Sequence, residues 1–421
     1  MPKRSQCKTI VIGCQEICGW IALLSSEFRK AGYRVISISP GTKYYNDQSY
    51  TLNKDHFALD YFILRIRSNI IGKLTHLIYT VLRKLFLSLL NKDLSNRLRV
   101  HANNYLYQQA DIYIHIWEGL ESSDADLYKF KIRGTKIVSW FVGDEVRFYP
   151  TTLKEFNIDN NYFLEYNKHV IYTPLRKLRM HERFSDVIFS VPDQSSLALR
   201  PYHHLQIPLD LTKYRYKNTG NDIPIIIHIP SAPLLKGSPV FESVVKELSE
   251  EGLQFQFKNI NNIPNSEVRK LLTEADILLD ELYIHGPGML GMEAMASGCC
   301  VMVKYLETSP GCFKPPVVSI TSDNLKSKLR ELIQNKSLRE ELIKKGRSYV
   351  EKNNNAKNVC NLILNSINSY NYDYYPNYFR EKFELEEHYN LLKINELTAI
   401  VKDCKWYNKY VPKGSRNGLV F

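Results

Sequence analysis

The sequence lacks the features that would place it in several common classes. With 19 glycines and 18 prolines in 421 residues, it is neither collagen-like nor a low-complexity chain. Charged residues break every apolar stretch before the ~18 uninterrupted positions expected of a membrane span. The N-terminal stretch MPKRSQCKTIVIGCQ passes from a short basic start into a strand, with no long apolar region ahead of a small-residue cleavage site, so no secretory signal is expected. The eight cysteines, at 7, 14, 18, 299, 300, 312, 360 and 404, include no paired Cys-x-x-Cys knuckles, and Cys14/Cys18 has no second ligand pair at zinc-like spacing. Reduced core thiols in a cytoplasmic protein are expected, Cys299 and Cys300 lying in an apolar run that reads as a buried strand. Without secretion, the triplet Asn335-Lys336-Ser337 is no sign of glycosylation.

What is present is an ordinary globular composition, 44% apolar and 24% charged. The length exceeds the size at which one core keeps growing, so two domains are expected. The formal net charge is +12, from 56 basic and 44 acidic side chains. Such a surface attracts polyanions: nucleic acid, anionic lipid headgroups or phosphorylated substrates. No basic region is interleaved with aromatics in a recognised nucleic-acid module, so nucleic acid is not an expected partner.

Residues 8–13 read as a strand, followed by a helix through Lys30, a stop at Ala31-Gly32-Tyr33, and a strand over 34–39. This opening, with further strands at 111–116, 135–141 and 186–191, predicts an α/β domain on a mainly parallel sheet. Ligands on such sheets gather at the carboxyl ends of the strands, which singles out Gly13–Gly19, His115–Gly119 and Gly143–Arg147. A polar, turn-rich segment at 206–222 marks the linker. A second series follows, with strands at 223–228, 255–259, 276–279 and 300–304, helices at 239–251, 266–273 and from about 290, and two helices over 322–366. The expected domains are 1–210, 211–366 and an extension, 367–421, packing back on the first domain.

Three segments admit two readings each. Residues 69–95 carry apolar residues at three- and four-residue steps; the helix either faces the core or lies on an anionic membrane, since its makeup is basic and leucine-rich. Ser369–Phe379 packs five tyrosines, either as core material or as a face for carbohydrate or the membrane interface. Asp124-Ala125-Asp126 has the form of the metal-binding Asp-x-Asp of another fold, but it opens a polar helix and reads as a capping segment.

The chemistry-bearing residues lie between His228 and Val303. In HIPSAPLLKGS, Lys236 places a point charge, and Gly237 a close backbone approach, ahead of a helix. In ADILLDELYIHGPGMLGMEAMASGCC, a strand runs out through Asp280 into a loop with Gly286 and Gly288. A helix then begins near Met289, and its amides favour an anion. Glu293 lies just over one turn inside, near enough to reach a ribose attached to that anion.

This run resembles the C-terminal domain of the GT-B glycosyltransferases often grouped as family 4, or group 1. The matching pieces are PS-x-x-x-x-KG at Pro230–Gly237, the strand Ala275–Asp280, and G-x-x-G-x-EAMA-x-G at Gly288–Gly298. The first domain matches through its Gly13 loop and Gly143–Arg147. The resemblance implies an α/β protein of two Rossmann-like domains facing across a cleft. It implies a retaining transferase that uses a nucleotide-diphospho-sugar, with no cofactor and no metal. Lys236 would contact the diphosphate and Glu293 the ribose. Ser231, Gly237, Asp280, Gly286, Pro287, Gly288 and Met289 would complete the donor site, and Gly13, His115, Gly143, Asp144 and Arg147 the acceptor side.

Three positions depart from the pattern. His285 stands where relatives carry an acidic residue, and is expected to hydrogen-bond the sugar; with Lys236 and Glu293 it makes up the expected catalytic set. Ala232-Pro233-Leu234-Leu235 offers no arginine before Lys236, and Val142 replaces a histidine. The expected acceptor is a glycan or lipid-linked molecule, in cell-surface polysaccharide or glycolipid synthesis at the cytoplasmic membrane face. The alternatives are a GT-B enzyme of another type, such as a sugar-nucleotide epimerase, or an inactive binder of sugar nucleotides or polyanions.

Overall fold

A computed structural model describes residues 7–39, 92–121, 124–143, 145–147, 172–191, 198–305, 314–368, 396 and 399–411. The first sheet is built from β1 (Thr9–Cys14), β2 (Arg34–Ser37), β3 (Ile112–Ile116), β4 (Lys136–Trp140), β5 (Val187–Ser190) and β6 (His203–His204). All pairings are parallel, in the order β2-β1-β3-β4-β5-β6. The connecting helices are α1 (Trp20–Lys30), α2 (Lys92–Gln109), α3 (Ala125–Lys131) and α4 (Tyr172–Phe184). Strands with apolar residues at every position need cover on both faces. Ile10, Ile12, Ile114, Val138 and Trp140 face α1, whereas Val11, Ile36, Tyr113 and Ile137 face Leu106 of α2 and Leu127 and Phe130 of α3.

The second sheet contains β7 (Ile225–His228), β8 (Gln256–Asn259), β9 (Ile277–Leu279), β10 (Cys300–Val303) and β11 (Val318–Ser319), again all parallel, in the order β11-β10-β9-β7-β8. Its helices are α5 (Pro233–Lys236), α6 (Ser238–Glu250), α7 (Asn265–Glu274), α8 (Met289–Ser297), α9 (Leu325–Gln334) and α10 (Lys336–Asn353). Ile227, Leu278 and Val301 pack against α7 and α8, and Ile226, Leu279 and Met302 against α6 and α9.

Two helices were expected over 322–366, but three form: α9, α10 and α11 (Ala356–Asn368). The breaks are polar. The Asn335 side chain accepts from the Leu338 amide at the start of α10, a local bond that competes with helix continuation. Asn354, wholly buried, turns its side-chain amide to the Ile207 carbonyl at 2.8 Å.

That second break is where the chain returns to the first domain. Leu209 donates to the Asn354 carbonyl (2.7 Å) and accepts from the Ala356 amide (3.2 Å), so the outgoing and returning segments cross side by side. Val359, Cys360 and Ile363 of α11 then enter the core of the first sheet, beside Ile21 and Leu24. The return thus begins at Ala356, inside the span that the sequence reading gave to the second domain. Further on, Val401, α12 (Tyr407–Tyr410) and Val411 pack on Leu199, and Arg183 of α4 pairs with Asp403. The described part of the extension therefore rests on the first domain.

The amphipathic stretch 69–95 lies outside the described residues, except for 92–95 within α2, as does the tyrosine-rich Ser369–Phe379. Among the described residues no helix is long and apolar enough to cross a membrane. Ile363→Ala is expected to cost about 2–5 kcal/mol, read by urea unfolding. Although its sequence position is distal, the loss should appear in the transition of the first domain, followed by tryptophan fluorescence, since Trp20, Trp117, Trp140 and Trp406 all lie outside the second domain.

Candidate active site

The geometry of the second domain concentrates charge where β9 ends. Asp280 leaves the strand wholly buried, and Lys236, at the last position of α5, reaches it with Nζ 3.0 Å from Oδ1. The same ammonium lies 3.0 Å from Glu281 Oε1. Burial alone would lower the pKa of Lys236, but the two carboxylates more than offset it, and the net shift is upward. Glu281 is pushed upward by burial and by the neighbouring Asp280, against the opposing pull of Lys236 and Arg147. Asp280 Oδ2 faces no hydrogen-bond donor, so part of the cluster's acceptor capacity is unspent.

Two glycines make this packing feasible. Gly237 has φ +82°, and a Cβ there would come within 2.8 Å of Leu282 Cβ. At Gly291 a Cβ would stand 2.5 Å from Pro287 and 2.8 Å from Asp280 Oδ2, so only glycine lets α8 sit this close to the carboxylate. Gly288 precedes α8 in extended backbone without a side-chain cap, leaving the first amides of that helix without an intrahelical acceptor. Lys236, Glu281 and the head of α8 thus come together.

Glu293 sits one turn further in and is 2% exposed. Its Oε1 accepts from the Tyr214 hydroxyl at 2.7 Å and from Asn265 Nδ2 at 3.0 Å. Burial raises its pKa, with these two bonds and Arg269 acting in the opposite direction. His285 is half-buried and stacks obliquely on Tyr305, with ring centroids 4.7 Å apart. Pro287, Gly288 and Met289 are half-buried, Gly286 is packed under Val303, and Ser231 is exposed. His228 is fixed between the Leu279 carbonyl and Ser238 Oγ, both at 2.7 Å.

On the first domain the residues divide. Arg147 lies close enough to Glu281 to lower its pKa, and His204, at the end of β6, is held down to about 3 by burial and by His285. Arg147 and His204 of the first domain thus lie within electrostatic reach of Glu281 and His285 of the second. Gly143 sits under the Trp117 ring, where a Cβ would be 3.0 Å away. Gly13 is buried against Ile38, and Asp144 lies outside the described residues. His115 is wholly buried, its ring edge-on to His181 at 4.4 Å. Asp124 does stand at the start of α3, but it makes no side-chain cap hydrogen bond. This corrects the capping expectation: a φ of +53° turns its carboxylate toward His115 instead. Asp126 is buried as well, accepting from the Tyr113 hydroxyl and the Leu120 amide.

Glu281, Tyr214, Asn265, Arg269 and Glu145 were not singled out from sequence. Glu281 had a signal, since it adjoins Asp280 at a strand's end. Tyr214 and Asn265 come from a loop and a helix start whose partner, Glu293, is remote in the chain, whereas Glu145 and Arg269 bond residues three and four positions away, a local spacing that carries no functional signal.

Residues 237–365 match the family model described as glycosyl transferase-like. No curated protein matches the chain. Among solved structures, TarM aligns with a TM-score of 0.56 at 12% identity, covering 86% of this chain and 99% of that one. A mutant of TarM from S. aureus, solved with fondaparinux, α-GlcNAc-glycerol and UDP, aligns at 0.53 and 11%, covering 86% and 100%. Sucrose-phosphate synthase from Thermosynechococcus elongatus aligns at 0.53 and 12%, covering 86% and 98%. With the two parallel sheets, these likenesses show the fold to be GT-B.

Glu145 gives this site a pH signature. Burial pushes its carboxyl from 4.5 up to about 7, against the Val142 amide and Lys177, which favour the charged form. A carboxyl raised on folding holds its proton more tightly in the native state. Its contribution is therefore complete below pH 4.5 and is lost as pH rises through 7. The loss amounts to about 3 kcal/mol. Glu145→Gln should flatten the stability profile between pH 5 and 8, measured as urea midpoints across that range.

Proposed function

We propose that this chain, a GT-B protein whose second domain carries a glycosyl transferase-like module, transfers a sugar from a nucleotide-diphospho-sugar to a glycan or lipid-linked acceptor. The observation that carries the reading is Lys236. Its ammonium is held at the mouth of β9 by Asp280 and Glu281, beside the uncapped start of α8. Fixed positive charge and outward amides at one point suit a diphosphate.

In the reaction the bond from the anomeric carbon to the diphosphate oxygen breaks, and its electron pair leaves with the diphosphate. The acceptor hydroxyl oxygen forms the new bond to that carbon and gives up its proton. Charge builds on the leaving group as the bond lengthens. Lys236 and the amides of α8 oppose that charge without having to move, which is the economical form of electrostatic catalysis. No metal is assigned a part in this step. Glu293 takes the ribose hydroxyls, with its Oε1 already oriented by Tyr214 and Asn265. His285, across from His204, hydrogen-bonds the sugar, and the acceptor enters from the side of Gly143 and Arg147. The reading includes retention at the anomeric carbon and work on cell-surface polysaccharide or glycolipid at the cytoplasmic membrane face. The net charge of +12 favours phosphorylated donors and anionic surfaces alike.

A calorimetric screen of UDP-, GDP- and ADP-sugars should find one nucleotide class that binds, with hydrolysis or transfer following from it. Glu293→Ala should weaken that binding at least about tenfold, the worth of one charge-assisted hydrogen bond. Lys236→Ala should lower kcat by about 10²–10³, as removal of an oxyanion-stabilising group does. Wild-type turnover in both variants would remove these residues from the site, and no binding by any sugar nucleotide would remove the activity.

Glu281 adds a charge test. A bound diphosphate disfavours its ionised form further, so affinity should fall as pH rises through its already elevated pKa. Glu281→Gln should bind the diphosphate several-fold more tightly at pH 8 and lose most of that pH dependence.

A further inference from the structure

The donor reading leaves one cluster of buried, chemistry-bearing side chains without a role, on the far face of the first sheet. His115 is the penultimate residue of β3, Ser139 lies opposite it on β4 in register, His181 comes from α4, and Asp124 precedes α3. We propose that His115, Asp124 and His181 form a binding site for a divalent transition-metal ion of the zinc type, which fastens the loop after β3 to α4.

Distance is the first argument. His115 Nε2 lies 3.4 Å and His181 Nε2 3.9 Å from Asp124 Oδ1, and one ligand atom from each residue falls within 4.8 Å of the other two. Both separations exceed the 2.7–3.2 Å of an N–H···O hydrogen bond, roughly the span of that interaction in proteins. They are closer to the edge of a coordination tetrahedron, since ligands about 2.0–2.1 Å from zinc stand about 3.4 Å apart. The three side chains face a common point without satisfying one another.

Burial makes that arrangement costly without an occupant. His115 and His181 are both 0% exposed, and Asp124 is 7% exposed. Both nitrogens of His115, and Nε2 of His181, are buried without a hydrogen-bond partner. Each such orphan forfeits its hydration with nothing in return. One cation would satisfy the two Nε2 atoms and the carboxylate together.

The surroundings already orient a ligand. Ser139 Oγ lies 2.5 Å from His181 Nδ1 and 2.6 Å from Ser185 Oγ. Ser139 can accept from Nδ1–H while donating to Ser185, the arrangement that would leave the His181 Nε2 lone pair for an ion beside Asp124. A hydrogen bond on the second ring nitrogen is the usual support of a metal-ligating histidine. The neighbouring charges are mixed. Lys177 and Arg176 lie near Asp124, but the Lys177 ammonium is taken up by the Trp117 carbonyl, and the buried Asp126 carboxyl stands near His115. Two imidazoles and one carboxylate suit zinc and its neighbours better than calcium or magnesium, which prefer oxygen-rich shells. The ligands come from a strand end, a helix start and a separate helix, so one ion would bind three elements into one unit.

The test uses the full chain, stripped with a chelator and titrated with Zn(II) alone, then with Co(II) as its spectroscopic stand-in. One equivalent should bind at micromolar or tighter affinity, raise Tm, and give Co(II) bands without thiolate charge transfer. His115→Ala, His181→Ala and Asp124→Asn should each weaken binding at least about tenfold. Ser139→Ala should weaken it about 10–100-fold by freeing the His181 ring. Should a ligand variant fail to fold, stoichiometry and the Co(II) spectrum of the wild-type chain decide alone. Absence of a bound equivalent, a thiolate signature, or unchanged affinity in folded His115→Ala/His181→Ala would overturn the site. Sugar-nucleotide binding, which uses none of these residues, should survive chelation, so failure of one proposal leaves the other standing.

Discussion

The pair of chain crossings at Leu209 and Asn354–Ala356 is the constraint on which the rest of the molecule depends. Two backbone hydrogen bonds and the buried Asn354 side chain hold the outgoing and returning strands of the connection together. Because α11 completes the core of the first sheet, the first domain is built from two separate stretches of chain, and the second is inserted between them as one continuous stretch. The buried Asn354 amide nitrogen cannot slip without leaving itself and the Ile207 carbonyl unpaired. The crossing therefore ties the two domains at one point, while Arg147 and His204 lie within electrostatic reach of Glu281 and His285 across the cleft.

That placement sets the electrostatics of the cleft. Lys236, Asp280 and Glu281 form a compact set in which the positive charge is already paired, and Arg147 approaches from the opposite domain. A buried ammonium between two carboxylates is held rigidly in place. It is positioned before a ligand arrives, but a diphosphate must compete with the carboxylates for it. Such a site favours a ligand that brings several negative oxygens at once and also finds the amides of α8.

Much of this was legible in the chain. Continuous β-branched runs such as Ile225–His228 read as strands covered on both faces, and nine of the eleven strands fall within a few residues of the expected ones; the two-residue β6 and β11 had no counterpart among them. Lys236-Gly237 and the Gly288–Gly298 stretch could be placed at helix starts because glycine and the small residues of α8 leave few other geometries. One of the two breaks, at Asn335 or Asn354, has no counterpart in the two helices expected over 322–366, since an asparagine inside an otherwise helical pattern is ambiguous until its partner is known. The partner of Asn354 is Ile207, 147 positions away. Asp124 was read as a cap for the same reason: sequence spacing located the helix start, and only the backbone turn there decided where the carboxylate points.

The sequence by itself determined the two parallel sheets, the position of the diphosphate-type loop and the residues at its head, because these follow from local periodicity and from backbone chemistry at glycine. Tertiary structure alone decided what those residues meet. It paired Lys236 with both Asp280 and Glu281, turned Glu293 to Tyr214 and Asn265, and carried α11 across to the first domain. It also gathered His115, Asp124 and His181 on a face where none of them could be assigned from spacing. Contacts of this kind join residues far apart in the chain, and their energies depend on burial, which no local pattern encodes.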